Sequence, residues 1–222
     1  MQWKAEDGIG SVELLDCMGS DLTVVNAARV SFAKESKEFS NADGKLIQYL
    51  AKHNHITPFF HPQIQFRIKM PIFVAREWYR HTIGFARNEV SRRYVDTAPE
   101  CYLPIGDNIR ERDTNKKQGS KDKSIEDSDY AHMTIKNCIR YCTEAYDDLL
   151  ERKVAPEIAR MILPQCMYTE FIETGSLAAY ARLCKLRTTP DAQKEIQIYA
   201  KAIEELMITK FPVSWAALMK TD

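Results

Sequence analysis

Hydrophobic and polar positions alternate most strictly over "PQIQFRIKM", where Ile64, Phe66, Ile68 and Met70 fall on one side and Gln63, Gln65, Arg67 and Lys69 on the other. A period of two predicts a half-buried β-strand. "SVELLD", residues 11–16, predicts a shorter one. The period then lengthens: "SDLTVVNAARVSF" predicts a helix capped by Ser20 or Asp21, with Leu22, Val25 and Ala28 on its inner face. Polar "AKESKEFSNADG" reads as a loop, and "KLIQYLAKHNH" as a helix that Pro58 and Pro62 of "ITPFFHP" prevent from continuing. Pro71 suits the first turn of a helix over "PIFVAREWYRHT". Helices are also expected at about 128–153, over "APEIARMIL", over "GSLAAYARLCKLR", and over the segment that Pro190 opens, "PDAQKEIQIYAKAIEELMITKF". Residues 105–127 hold few apolar side chains and are expected to form a mobile polar loop, of the kind that often serves as a lid. Few strands and many grouped helices predict an α+β fold with a mixed or antiparallel sheet and a helix-rich C-terminal half; no internal repeat is present.

Composition narrows the picture. A chain of 222 residues, 45% hydrophobic, suffices for one substantial core, and a single domain over 1–222 is expected. Its 31 basic residues balance 31 acidic ones, so no whole-molecule field draws in a long polyanion, and any anion site must be local. The six cysteines, at 17, 101, 138, 142, 166 and 184, form no CxxC pair, and Cys138 with Cys142 sits at helical spacing in an apolar stripe; buried, reduced thiols are expected. "MQWKAEDGIG" lacks a signal-like apolar core, and no apolar run approaches the roughly 20 residues of a membrane span. A soluble, cytoplasmic protein without a membrane partner is therefore expected.

The chemistry concentrates in "REWYRHTIGFARNEVSRRY", residues 76–94, where Arg76, Arg80, Arg87, Arg92 and Arg93 stand among Trp78, Tyr79, Phe85 and Tyr94. Three readings are open: a nucleic-acid surface, a pocket for a phosphorylated aromatic ligand, or an ion-paired exposed face. If "NEVSRRY" is extended, Glu89, Ser91 and Arg93 point one way at intervals of about 6–7 Å, a carboxylate, hydroxyl and guanidinium that could match base, sugar and phosphate of a mononucleotide. If it is helical, Glu89 and Arg93 merely pair at i, i+4. No histidine adjoins Ser91 in sequence, which favours a hydrogen-bonding serine over a nucleophile. His53, His55 and His61 lack an HExxH frame or a cysteine partner, so no metal site is expected. Arg160, amid Ile158, Ile162 and Leu163, demands a counter-charge, either a carboxylate or a bound anion. Arg187 ends "LCKLR", where a cation complements a helix C-terminus.

Six stretches in order, "SVELLDCMGSDLTVVNAARVSF", "LIQYLAKHNHITPF", "PIFVAREWYRH", "NEVSRRY", "EIARMILP" and "LRTTPDAQKEIQIYA", resemble flavin-dependent thymidylate synthase over most of the chain. The resemblance implies an enzyme that makes dTMP from dUMP with methylene from methylenetetrahydrofolate and hydride from reduced FAD, which NADPH recharges. It further implies a homotetramer with shared active sites and small-molecule rather than nucleic-acid partners. For dUMP it implies Glu77, Trp78, Tyr79, Arg80, Glu89, Val90, Ser91, Arg92, Arg93, Arg160 and Arg187. For FAD it implies Ser31, His55, Thr57, Arg80, His81, Thr82, Glu89, Ser176 and Arg182. Arg187 aligns with the arginine that activates the uracil, and with Ser91 it completes the implied catalytic pair. A guanidinium at the N3/carbonyl edge would stabilise charge developing in the ring, as an oxyanion hole does. No cysteine lies in a matching motif, in keeping with a mechanism that lacks the cysteine adduct of ordinary thymidylate synthase.

The chain also departs from the family. The signature "RHR", seven residues, Ser is here "RHT" followed by eight residues before Ser91, so Thr82 replaces an arginine and one residue is inserted; Arg87 is the candidate to supply the missing charge. Phe60 stands for a glutamate, Glu77 for a glutamine, and Ser176, Ala178 and Arg182 for Asn, Arg and Asn. These departures keep two alternatives in view: a flavin or nucleotide binder without synthase activity, and a basic, aromatic nucleic-acid module.

Overall fold

The computed structural model describes residues 1–95, 97–114 and 119–220. Its centre is the strand announced by strict alternation, β3 (Gln63–Pro71), in the order set by β1 (Gln2–Lys4), β2 (Ser11–Met18), β4 (Phe85–Glu89) and β7 (Tyr168–Ser176). The sheet runs β1-β2-β3-β7-β4 with every neighbouring pair antiparallel, so the mixed alternative is set aside. Ile64, Phe66, Ile68 and Met70 are buried, as the period of two requires. They share one core with helices α1 (Asp21–Arg29), α2 (Asn41–Lys52), α6 (Leu177–Arg187), α7 (Lys194–Lys210) and α8 (Pro212–Lys220).

Caps explain where several helices begin. Ser20 opens α1 in a capping box with Thr23, and Ser40 opens α2 in another with Asp43, four residues earlier than the apolar pattern suggested. Asp21 reaches across the fold to accept from the backbone amides of Val213 and Ser214 at 3.0 and 2.9 Å, satisfying the first turn of α8, a helix beyond the segment expected to end at Phe211.

Several expectations are corrected. Residues 105–127 are not a structureless loop: a 3-10 turn leads into β5 (Arg110–Arg112), which pairs with β6 (Ser120–Ser124), and Arg110 holds this hairpin to Glu195 of α7 at 2.5 Å. A polar segment can order itself when ion pairs and a ladder replace an apolar core; residues 115–118 at its tip lie outside the described residues. The helix-rich second half also supplies β7, a strand the sequence did not single out, which runs between β3 and β4 in the sheet. Of the six cysteines, Cys184 alone is buried, while Cys138 is exposed on α4 (Ser128–Glu151) and the others are half-buried.

Candidate active site

α3 (Ile72–Trp78) points its C-terminal end at the last turn of α6. There Glu77, His81 and Arg187 meet. Arg187 donates from Nε to His81 Nε2 at 3.0 Å, and its Nη1 lies 3.8 Å from Glu77 Oε2. That carboxylate oxygen is buried and has no hydrogen-bond partner among the described residues. Burial, and then the guanidinium of Arg187 with Arg87, Arg182 and Arg80 behind it, hold the His81 pKa down at about 4. His81 is therefore a neutral imidazole at neutral pH, and its Nε2 is an acceptor that aims the arginine. Glu77 and Arg187 line a cavity of about 340 Å³ with Arg110 and Ser120 of the hairpin and Thr189 and Gln193 beyond α6.

On the other side of the same helix runs a groove of about 1280 Å³ between α2, α6 and α8, lined by Lys52, Arg182, Lys185 and Lys220 over a floor that includes Ala178, Ala181, Ala217 and Leu218. Lys185 lines the groove and Leu186, the next residue, lines the cavity. Arg182 also donates to the carbonyl of Ile83, tying the His81–Gly84 loop to α6. Asn54 and Ile56, on either side of His55, border the groove, and His55 and Thr57 are exposed beside it. Ser31 lies exposed on the 3-10 turn after α1.

Residues 89–93 follow the extended reading only in part. Glu89 ends β4, accepting from Thr169 Oγ1 at 2.6 Å, but Ser91 to Val95 form a turn in which the amides of Tyr94 and Val95 donate to the Ser91 carbonyl. Glu89, Ser91 and Arg93 are thus not collinear. Ser91 Oγ accepts from the Arg93 amide at 3.3 Å, a hydrogen-bonding role, and no histidine is bonded to it among the described residues. Val90 is exposed, Arg92 bonds the Thr97 carbonyl, and Arg93 lies 3.6 Å from Glu157 on α5 (Pro156–Ala159). Arg160 follows α5 at once, exposed; Ile158 and Ile162 beside it are exposed as well, so the internal partner demanded by burial is not required.

Three residues are placed otherwise than their sequence positions suggested. Trp78 is 0% exposed and its indole donates to Glu173 at 3.2 Å, so its side chain belongs to the core rather than to a ligand surface. Ser176 is buried, with Oγ engaged as the cap of α6 by the Ala179 amide. Arg87, the candidate for the missing charge, pairs with Glu173 directly opposite it in the ladder, inside the protein. Arg80 and Thr82 are exposed on the loop after α3, and Tyr79, between the two clusters, has its hydroxyl pKa raised by burial and by the Glu89 carboxylate beside it. Among the described residues no hydrogen bond or ion pair joins Arg187 to the Glu89–Arg93 turn. Sequence reasoning missed Arg110 and Glu195; a lone arginine in a polar run carries no signal of the helix it will meet. No cluster of three metal-ligating side chains occurs among the described residues.

A polar cavity lined by Arg110 and Arg187, and a groove lined by three lysines and Arg182, define a class of α+β protein with local cationic sites. Comparison with known proteins narrows this class. The thymidylate synthase complementing protein family, Thy1, matches residues 13–213, and the chain belongs to that family. Flavin-dependent thymidylate synthase of Thermus thermophilus is 39% identical over 208 residues, 94% of this chain and 75% of that protein. The flavin-dependent thymidylate synthase of Thermosipho africanus is 39% identical over 223 residues, 99% of this chain and 95% of its own. The crystal structure of the UMP/dUMP methylase PolB from Streptomyces cacaoi, bound with 5-Br dUMP, superposes with a TM-score of 0.85 at 31% identity, covering 95% of this chain and 94% of that one.

Proposed function

We propose that this chain is a flavin-dependent thymidylate synthase, converting dUMP to dTMP with methylenetetrahydrofolate as one-carbon donor and NADPH as reductant. The observation that carries this reading is the Glu77–His81–Arg187 cluster at a polar cavity, in a chain whose relatives are flavin-dependent thymidylate synthases. The uracil C5 must become nucleophilic without a thiolate at C6. A guanidinium held beside a ring carbonyl stabilises the negative charge that this requires, and it does so best when pre-oriented in a site shielded from water. His81 supplies the orientation by accepting from Nε, which leaves the terminal nitrogens for the base.

The donor set of the groove fits a flavin dinucleotide: three lysines and Arg182 suit a diphosphate, and the alanine-rich faces of α6 and α8 suit planar rings. When bound, FAD supplies the hydride that reduces the transferred carbon. Arg182, with the neighbouring His55, Thr57 and His81–Thr82 loop, would hold it against α6. Phe60 lines this groove where the family carries a glutamate, so an apolar contact replaces a polar one there. Ser176 and Trp78 contribute as framework, and the nucleotide contacts fall to Glu77, Tyr79, Arg80, the Glu89–Arg93 turn, Arg160 and Arg187. Because Arg187 and that turn do not meet within one chain, a homotetramer in which one copy's turn and Arg160 complete another copy's cavity accounts for both. A site in the cytoplasm, where dUMP and folate are available, suits these substrates, and no described helix is long and apolar enough to cross a membrane.

The deciding experiment reduces the bound flavin under anaerobic conditions and adds dUMP with methylenetetrahydrofolate. Flavin reoxidation with dTMP formation is expected only when both are present. A colourless protein that takes up no FAD, or reoxidation indifferent to dUMP, refutes the reading.

A further inference from the structure

Cys101 and Cys166 are 65 positions apart in sequence but adjacent across a short antiparallel contact, in which Cys101 opposes Met167, the Tyr102 amide donates to the Cys166 carbonyl at 2.8 Å and the Tyr168 amide to the Glu100 carbonyl at 2.8 Å. The Met167 amide returns to the Pro164 carbonyl, so Cys166 sits on a turn rather than in a regular pleat. The nearness of the two side chains pulls their pKa values apart, raising that of Cys101 and lowering that of Cys166. One residue out of register on a ladder whose strands lie about 5 Å apart puts Cα atoms at about 6 Å, within the span a disulfide bridges. Both sulfurs are half-buried. We propose that Cys101 and Cys166 form a peroxide-sensitive dithiol that closes to a disulfide and thereby resets the two segments that precede them.

The neighbouring Cys101 side chain lowers the Cys166 pKa to about 7, so Cys166 is the sulfur that reacts first. Its thiolate attacks one peroxide oxygen; the O–O bond breaks, the departing hydroxide takes a proton to become water, and Cys166 is left as a sulfenic acid. The Cys101 sulfur then attacks Cys166, the S–O bond breaks, and the hydroxyl leaves with the Cys101 proton as a second water. Two thiols lose two electrons and two protons, and one peroxide becomes two waters. The geometry gives the bond a consequence. Arg92 and Arg93 precede Cys101 in the chain and Arg160 precedes Cys166, so closing the bond would tie together the two segments that carry them. That consequence, unlike the bond itself, rests on the nucleotide site proposed above.

The test treats the full-length protein with hydrogen peroxide, blocks remaining thiols with N-ethylmaleimide, and maps the peptides by mass spectrometry. A Cys101–Cys166 linked pair, lighter by two hydrogens and released by dithiothreitol, is expected; in Cys101→Ser, Cys166 should be trapped by dimedone as a sulfenic acid. A disulfide to Cys142, a sulfinic Cys166 with no bridge, or unreacted thiols overturns the proposal. Oxidised wild-type protein should bind dUMP about fivefold or more weakly than reduced protein, with no such change in the Cys101→Ser/Cys166→Ser variant. A bond that forms without altering dUMP affinity overturns the switch. Reduced protein that never binds dUMP refutes the nucleotide reading instead, while the peptide map still decides the disulfide.

Discussion

Arg187 is oriented by an imidazole that must stay neutral, and this has a pH signature. The folded-state pKa of His81 is about 4 against an ordinary 6.5, so the unfolded chain binds the extra proton first. Stability therefore falls as pH drops from about 6.5 towards 4. His81→Gln should flatten that limb: the drop in urea midpoint between pH 7 and pH 5 will be smaller in the variant than in the wild type. Arg187→Ala should abolish dTMP formation while leaving FAD bound, read by absorbance and product assay together; near-normal turnover would remove Arg187 from the chemistry. Arg160→Ala, exposed and without an internal partner to orphan, should leave the melting temperature in place and weaken dUMP by the roughly 1.5–3 kcal/mol of a charge-assisted hydrogen bond, seen by titration calorimetry.

At the scale of the element, β7 explains what the sequence concealed. Its core face carries Thr169, Phe171, Glu173 and Gly175, whereas Ile172 looks outward, more than a third exposed. The polarity is inverted, so an alternation rule that reads β3 at sight finds nothing in "YTEFIETGS". Each oddity has a cause. Glu173, 0% exposed, answers Arg87 across the ladder and accepts from the Trp78 indole; burial pushes its pKa up, and these two partners oppose that. Gly175 leaves room for Phe85, whose ring would come within 2.5 Å of an added Cβ. Arg87→Met should therefore strand a buried carboxylate and cost about 3–5 kcal/mol in denaturant unfolding, while Arg87→Met with Glu173→Leu recovers much of it. Failure of the double variant to recover would show that the pair is held by its surroundings rather than by its charge. α1 was more legible because Ser20 announces it locally, whereas α8 is capped from Asp21 at the far end of the chain, a partner no local window contains.

For the whole molecule, charge neutrality and local cations together make a testable contrast. Single-stranded DNA should not compete with dUMP at physiological salt, since binding it would need a continuous positive surface that a chain of 31 basic and 31 acidic residues does not provide. Competition in a fluorescence-anisotropy assay would reopen the nucleic-acid reading. The fold class and the family were legible from one sequence. The meeting of Arg187 with His81 and the arrest of Arg87 by Glu173 were not, because both partners lie 86 or more positions away. The sheet order also has a temporal meaning. β1, β2 and β3 are complete once the first 71 residues exist, but β4 touches the sheet only through β7, which ends at residue 176 of 222. During synthesis, the arginine-rich segment must therefore wait until β7 has been made, about 90 residues after β4, and the acidic partner that finally receives Arg87 arrives with that strand.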